Sequence, residues 1–179
     1  MKLFPNPKTL IFSKEKMNSQ KISKVTSSFD EHFNNLLYQM FEVNQKEGIP
    51  LMIEKSDDIT NYEGYKLKIE KEVITIIAKQ PNGAFYGLLT LRDILNSDNQ
   101  LCLEIEDYPD LAVRGVMLDI SRSKVPTLDT LKKLVVMFAT LRYNHLELYI
   151  EGFSFEYQSF KHLLSDNNYL CLQDYLELE

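Results

Sequence analysis

The sequence predicts an α+β domain, a sheet with helices on one face, followed by the first β/α units of a TIM-type barrel. Up to residue 106, strands that alternate polar and apolar residues are interleaved with amphipathic helices, which is typical of a sheet covered on one side. From Val113 the strand pattern becomes almost wholly apolar, as in a parallel strand covered on both faces. We therefore expect two domains, 1–109 and 110–179, divided at Asp107-Tyr108-Pro109-Asp110.

The first half of domain 1–109 has the pattern strand, helix, strand. Residues 8–12 form a short apolar strand, and residues 29–43 carry an apolar stripe with helical spacing. The stripe consists of Phe29, Phe33, Leu36, Leu37, Met40 and Phe41. Gly48 and Pro50 end this helix, and residues 50–54 form the next strand.

The second half of this domain has the pattern hairpin, helix, strand. Residues 65–69 alternate apolar with charged side chains, and residues 73–78 follow after a tight connection, so the two segments form a hairpin. The turn Pro81-Asn82-Gly83 leads into a helix over residues 84–95. Residues 101–106 form the last strand of the domain.

Domain 110–179 begins with a strand, helix, strand unit. The apolar strand 113–120 is followed by a helix for which Thr127 is the expected N-cap. Its apolar stripe consists of Leu128, Leu131, Leu134, Val135, Phe138 and Leu141. Asn144 ends the helix, and strand 145–151 is expected to run parallel to the first strand through a right-handed crossover. A further helix begins near residue 173.

Charge and composition exclude several classes of partner. The chain has a net charge of −6 and no apolar run of about 20 residues, so we expect neither nucleic acid nor a membrane as a partner. The amino-terminal segment contains two prolines and lacks the apolar core of a signal peptide, which predicts a cytoplasmic protein. A neutral ligand such as a sugar is compatible with this charge.

Cysteine and histidine residues give no sign of a disulfide framework, a metal site or a cofactor. Cys102 and Cys171 are expected to be buried thiols. His32, His145 and His162 are scattered, without the spacing of metal ligands. We expect no cofactor.

Three ordered segments between residues 82 and 122 carry a family resemblance. They are NGAFYGLLTLRDIL (82–95), EDYPDLAVRG (106–115) and RGVMLDISR (114–122). In this order they resemble the bacterial β-N-acetylhexosaminidases of glycoside hydrolase family 20. The resemblance implies that residues 1–109 are the accessory domain of such an enzyme and that residues 110–179 begin an incomplete catalytic (β/α)8 barrel.

The resemblance also implies an activity. Family members remove terminal N-acetylhexosamine by substrate-assisted retaining hydrolysis, with a catalytic Asp-Glu pair on a later barrel strand. We therefore assign no catalytic residue in this chain and expect the chain alone to be inactive, with an N-acetylhexosamine-containing glycan as the partner of the complete enzyme. The alternative is a non-catalytic carbohydrate-binding or protein-interaction module built on the same accessory domain.

Arg114 is the first candidate for binding the substrate. The resemblance assigns the arginine that opens the first-strand motif to hydroxyl groups of the sugar. A guanidinium fork can donate two charge-assisted hydrogen bonds to vicinal hydroxyls. The alternative is a boundary arginine paired with Glu106 or Asp107.

Four further residues are expected at the ends of the two barrel strands. Glu151 is the second candidate for binding the sugar, in place of an aspartate common in the family, although a purely structural ion pair is an open alternative. Asp119 and Arg122 are expected to form a pair that fixes the first loop, with Tyr149 supporting the site. Barrel active sites lie at the carboxyl ends of the strands, where these four residues are expected.

The segment after strand 145–151 is rich in aromatic residues. Phe153, Phe155, Tyr157 and Phe160 can stack on a sugar or pack into the core. Because two strands cannot close a barrel, we also expect self-association through residues 113–179, or mobility of that part.

Overall fold

The computed structural model divides into two compact units, Met1–Asp110 and Leu111–Glu179, which are described separately. The predicted boundary lies one residue before this division. The structure describes residues 3–41, 43, 47–98, 100–122, 125–151, 155–163 and 169–178.

Unit Met1–Asp110 is a mixed sheet with two helices among its described residues. Its elements are β1 Thr9–Lys16, β2 Ile22–Ser27, α1 Glu31–Met40, β3 Ile49–Lys55, β4 Tyr65–Ile69, β5 Ile74–Ala78, α2 Pro81–Leu95 and β6 Leu101–Asp107. The strand order is β1-β6-β4-β5-β3-β2, with parallel pairing of β2 with β3 and of β3 with β5. The other neighbouring strands are antiparallel. The predicted α+β class is confirmed.

The helices cover one face of this sheet. Alternate residues of β4 and β5, such as Leu67 and Ile76, are fully buried in one core with Leu88 of α2 and Leu37 of α1. The opposite face carries charged side chains, which form cross-strand ion pairs. Lys66 Nζ lies 3.5 Å from Glu106 Oε2, and Lys68 Nζ lies 3.6 Å from Glu104 Oε1. The sheet is therefore amphipathic, as the alternation in β4 predicts.

Strand β2 is absent from the sequence-based prediction. It lies at one edge of the sheet with β3 as its neighbouring strand, and most of its side chains stay partly or fully exposed. An edge strand has little buried surface, and its residues therefore show no strong apolar pattern. Strand β1 is also longer than predicted, because its polar end, Ser13–Lys16, still runs alongside β6 after a break in register.

A small polar network lies inside this core. The Tyr65 hydroxyl lies 2.6 Å from Thr90 Oγ1 and 3.3 Å from Asp107 Oδ2, and Thr90 Oγ1 donates to the Tyr86 carbonyl at 3.1 Å. Tyr65 and Thr90 are buried, so their polar atoms need partners inside the protein.

Substitution of Tyr65 by phenylalanine is expected to lower the free energy of unfolding by about 1–2 kcal/mol, because buried polar partners lose a hydrogen bond. Tyr62→Phe is the matched control, since the Tyr62 side chain is 61% exposed, and is expected to change little. Urea unfolding of both variants measures the difference. Equal effects of the two substitutions would contradict a stabilising role for the network.

Unit Leu111–Glu179 contains a parallel strand pair. Its elements are β7 Gly115–Asp119, α3 Leu128–Thr140, β8 His145–Tyr149, a 3-10 helix at Gln158–Leu163 and α4 Leu172–Leu176. The predicted parallel pairing is confirmed, with a register from Gly115 opposite His145 to Asp119 opposite Tyr149. The predicted N-cap is confirmed as well, because the Thr127 hydroxyl accepts a hydrogen bond from the Thr130 N–H.

The core of this unit is small. Its buried members are Ile120, Leu131 and Leu170, with partly buried Leu118 and Leu148 against them. The other face of the two strands is open, and Met117 is 61% exposed. Within the described residues, β7 is therefore covered on one face only.

Two further sequence expectations can be compared with the structure. Cys102 is buried, and burial raises the pKa of its thiol. Cys171 is only partly buried, so the expectation that both thiols are buried is wrong for this residue, which lies at the exposed start of the short helix α4. No helix in the described part of the chain is long and apolar enough to cross a membrane.

Candidate functional site

A cluster of polar side chains lies at the carboxyl ends of β7 and β8. Asp119 is the last residue of β7 and pairs with Tyr149, the last residue of β8. Because the strands are parallel, both carboxyl ends lie at the same edge of the sheet. Ser121 and Arg122 follow the first strand, and Glu151 follows the second.

Arg122 and Glu151 form the centre of this cluster. The guanidinium donates two hydrogen bonds to the carboxylate, from Nη2 to Oε1 at 2.9 Å and from Nε to Oε2 at 3.3 Å. The Nε atom also lies 3.5 Å from Asp119 Oδ2, so the predicted Asp119–Arg122 pair is present. The side chains of Arg122 and Glu151 are 65% and 51% exposed, which leaves the pair accessible to a ligand.

Asp119 is held by the turn that follows β7. Its Oδ1 accepts hydrogen bonds from the Ser121 N–H at 2.9 Å and from the Ser121 hydroxyl at 2.8 Å. These bonds, with a smaller contribution from the Arg122 charge, hold the pKa of Asp119 below its ordinary value. Asp119 is therefore an ionised carboxylate that fixes both the loop and one edge of the guanidinium.

Tyr149 supports the pair from the strand. Its hydroxyl donates to Glu151 Oε1, and the Arg122 guanidinium carbon lies 5.7 Å from the centroid of its ring. The hydrogen bond to Glu151 raises the pKa of Tyr149. One aromatic side chain thus contacts both charged groups.

The Glu151 carboxyl is expected to titrate below its ordinary range. The Arg122 hydrogen bond is the largest cause of its lowered pKa, and the Tyr149 hydrogen bond is the second. A carboxyl group with a depressed pKa in the folded state contributes stability above the unfolded pKa and loses it as the pH falls through the folded pKa.

Arg122→Gln and Tyr149→Phe should each raise the pKa of Glu151 towards its ordinary value, with the larger change for Arg122→Gln. Carbon-detected NMR titration of the Glu151 side chain measures the shift. The control is Lys132→Gln, because Lys132 pairs with Glu177 and not with this cluster. An unchanged Glu151 titration in Arg122→Gln would contradict the pairing.

Arg114 lies at the opposite end of β7. Its Nε donates to the Arg142 carbonyl at 2.8 Å, and its Nη1 donates to the Leu111 carbonyl at 2.7 Å. The five residues of β7 separate it from Glu151 by more than about 13 Å at the usual rise per residue. The structure therefore does not bring together the two predicted substrate-binding residues, Arg114 and Glu151.

The position of each arginine relative to the strand accounts for this difference. An arginine that precedes a parallel strand lies at the amino end, whereas barrel sites form at the carboxyl end. Arg122 follows the strand and meets Glu151. This positional signal is present in the sequence and favours Arg122 over Arg114.

The aromatic residues after β8 differ in burial. Phe155 packs edge-on against Tyr175, with ring centroids 5.4 Å apart, and belongs to the small core. Tyr157 and Phe160 are exposed. Phe153 lies outside the described residues.

The only Asp-Glu dipeptide in the sequence is Asp30-Glu31, in the first domain. Asp30 is the N-cap of α1 and accepts a hydrogen bond from the Phe33 N–H at 2.9 Å. Asp30 therefore has a local structural role. In the described part of the chain, no group of histidine, cysteine, aspartate and glutamate residues has the arrangement needed to hold a metal ion.

The fold has counterparts among glycoside hydrolases of solved structure. The Streptomyces plicatus N-acetyl-β-hexosaminidase matches 98% of this chain with 42% of its own, at a TM-score of 0.80 and 20% identity. The β-N-acetylhexosaminidase of Bacteroides fragilis matches 98% of this chain with 41% of its own, at a TM-score of 0.77 and 19% identity. At this identity the likeness defines the class of fold.

Sequence comparison defines the family. The family model described as glycosyl hydrolase family 20, domain 2, matches residues 1–108, and the chain belongs to this family. A β-hexosaminidase of Porphyromonas gingivalis is 33% identical over 99 residues, which cover 49% of this chain and 13% of the relative. A β-hexosaminidase of Akkermansia muciniphila is 28% identical over 116 residues, which cover 61% of this chain and 23% of the relative. The matched region thus spans less than a quarter of either relative.

Proposed function

We propose that this chain is the amino-terminal portion of a β-N-acetylhexosaminidase-like glycoside hydrolase. Residues 1–109 are its accessory domain, and residues 110–179 are the first β/α units of its catalytic barrel. The observation that carries the proposal is the polar cluster at the carboxyl ends of β7 and β8 in a chain of this family. Further support comes from the relatives named above, and from a Streptomyces plicatus β-hexosaminidase mutant whose solved structure contains GlcNAc as product.

The arrangement of Arg122 and Glu151 suits the hydroxyl groups of a terminal N-acetylhexosamine. A hydroxyl can donate to the carboxylate and accept from the guanidinium, so a vicinal pair of hydroxyls can engage both side chains. In this proposal Arg122 takes the substrate-binding role expected of Arg114. Asp119 and Tyr149 position the pair and do not need to touch the sugar.

The chain contributes binding and orientation, not the chemical step. In a substrate-assisted retaining mechanism, the acetamido group attacks the anomeric carbon while an acid protonates the leaving oxygen. We assign neither the orienting aspartate nor this acid to a residue of the chain. The proposed role of Arg122 and Glu151 is to hold the sugar hydroxyls while those groups act.

Binding of methyl N-acetyl-β-glucosaminide to the isotopically labelled chain tests this proposal. Amide shifts are expected at Ser121, Arg122, Tyr149 and Glu151 and not at Arg114. Arg122→Gln should weaken binding roughly tenfold or more, because a charge-assisted hydrogen bond contributes about 1.5–3 kcal/mol. Arg92→Gln is the control, since Arg92 lies in α2 and has Asp93 as its ion-pair partner.

Two outcomes would contradict the proposed site. One is a set of shifts centred on Arg114, and the other is equal binding by the Arg122→Gln and Arg92→Gln variants. An aryl N-acetylglucosaminide added to the same sample is expected to remain intact, because general acid catalysis alone contributes about 10²–10⁴-fold. Turnover at the rate of a complete hexosaminidase would contradict the absence of a catalytic residue.

A further inference from the structure

The cluster at the ends of β7 and β8 carries more negative than positive charge among its described side chains. Arg122 is its one cation, and Asp119 and Glu151 are two carboxylates in contact with it. Hydrogen bonds from Ser121 and Arg122 respectively keep the pKa values of Asp119 and Glu151 below their ordinary values, so both carboxylates are charged at neutral pH. The net charge of these three groups is therefore −1.

The geometry also limits what Arg122 can offer to an anion. Glu151 occupies both Nη2 and Nε of the guanidinium in a two-bond arrangement. Sites for phosphate or sulfate use this same side-by-side geometry of a guanidinium. An anionic ligand would have to displace Glu151 or approach it against its charge.

We infer that this site distinguishes sugars by charge, with Glu151 as the residue that determines specificity. It accepts a neutral N-acetylhexosamine and rejects one that carries a sulfate, phosphate or carboxylate on the part of the ring that faces the cluster. The inference rests on the proposed function, because it concerns the same site. A neutral sugar supplies hydroxyl donors to Glu151, whereas an anionic substituent supplies only acceptors.

The size of the discrimination follows from Coulomb's law. A unit negative charge about 6–8 Å from the excess charge of the cluster, at an effective dielectric constant between about 20 and 80, gives roughly a 2- to 100-fold weaker association. Because the site is exposed, added salt should reduce the ratio. Both quantities can be measured on the unmodified chain.

The test compares N-acetylglucosamine with N-acetylglucosamine 6-sulfate as probes, by NMR titration of the full chain. The unmodified chain is expected to bind the neutral sugar about 2- to 100-fold more tightly at low salt, with a smaller ratio at about 0.3 M salt. Glu151→Gln keeps the shape of the side chain and removes its charge, so the ratio should move towards one. Glu147→Gln is the matched control and should keep the ratio, because Glu147 is an exposed residue of β8 four positions before Glu151.

The outcomes separate this inference from the function on which it rests. If neither sugar binds, the proposed sugar site is wrong. If both sugars bind the unmodified chain equally, or the sulfated one binds more tightly, the site exists and the charge selection is wrong. If a folded Glu151→Gln variant keeps the affinity ratio of the unmodified chain, Glu151 does not determine the specificity. If that variant does not fold, the salt dependence of the ratio in the unmodified chain is the test, and a ratio that does not change with salt overturns the electrostatic cause.

Discussion

Gly83→Ala is expected to lower the free energy of unfolding of unit Met1–Asp110 by about 3 kcal/mol, at the upper end of the usual cost of overpacking. Gly83 lies in the first turn of α2, where the helix backbone approaches the loop before β4. A Cβ atom on Gly83 would lie 2.3 Å from the Gly64 carbonyl oxygen and 3.1 Å from its carbonyl carbon. Both atoms belong to the backbone, so the clash can be relieved only by moving α2 or the loop.

The sign of this effect makes the prediction specific. In an unhindered helix, replacement of glycine by alanine stabilises by about 1 kcal/mol. Asn82→Ala is the matched control, because Asn82 is the exposed neighbour in the same turn, and it should change the free energy of unfolding by less than about 0.5 kcal/mol. Urea unfolding of both variants measures the change in the free energy of unfolding. A neutral or stabilising effect of Gly83→Ala would contradict the close approach of the two backbones.

Limited proteolysis of the chain is expected to cleave unit Leu111–Glu179 at least about tenfold faster than unit Met1–Asp110. Local opening depends on how much apolar surface an element buries. Among the described residues, the second unit has three buried hydrophobic residues, Ile120, Leu131 and Leu170, whereas the first has a continuous core drawn from both helices and all its central strands. Apolar side chains such as Met117, Val136 and Leu141 are exposed in the second unit.

The same exposure predicts association of the chain at high concentration. β7 and β8 form a sheet of two strands among the described residues, so each has an edge without a strand partner there. Open edges beside exposed apolar side chains promote pairing between copies. Light scattering across a concentration series measures the association. A chain that stays monomeric, and whose second unit resists protease as well as its first, would contradict both the predicted association and the predicted faster cleavage.

The sequence determined most local elements of the chain, with β2 as the exception in the first domain. Alternation over residues 65–69 and 73–78 predicted the hairpin of β4 and β5, and the turn at Pro81 marked the start of α2. Thr127 was recognisable as an N-cap because its bond to the Thr130 N–H closes within one turn. Features of this kind depend on residues a few positions apart, so a linear pattern contains them.

The tertiary structure decided the order of the strands. β6 lies between β1 and β4, although it is the last strand of unit Met1–Asp110 in sequence, and β2 was found only through its pairing with β3. The side-chain pattern of an edge strand is set by the neighbour that it pairs with, and its own residues stay mostly exposed. No periodic side-chain pattern within residues 22–27 therefore indicates that they form a strand.

In the candidate site, too, the sequence predicted the short-range features and the tertiary structure decided the long-range ones. The sequence indicated that Asp119, Arg122, Tyr149 and Glu151 lie near strand ends, and it predicted the short-range Asp119–Arg122 pair. The position of Arg122 after its strand favours it over Arg114, but its contact with Glu151 depended on the parallel register of β7 and β8, which brings together two residues 29 positions apart. Local periodicity fixes which face of a strand a side chain occupies, whereas only the pairing of distant strands fixes which side chains share an edge of the sheet.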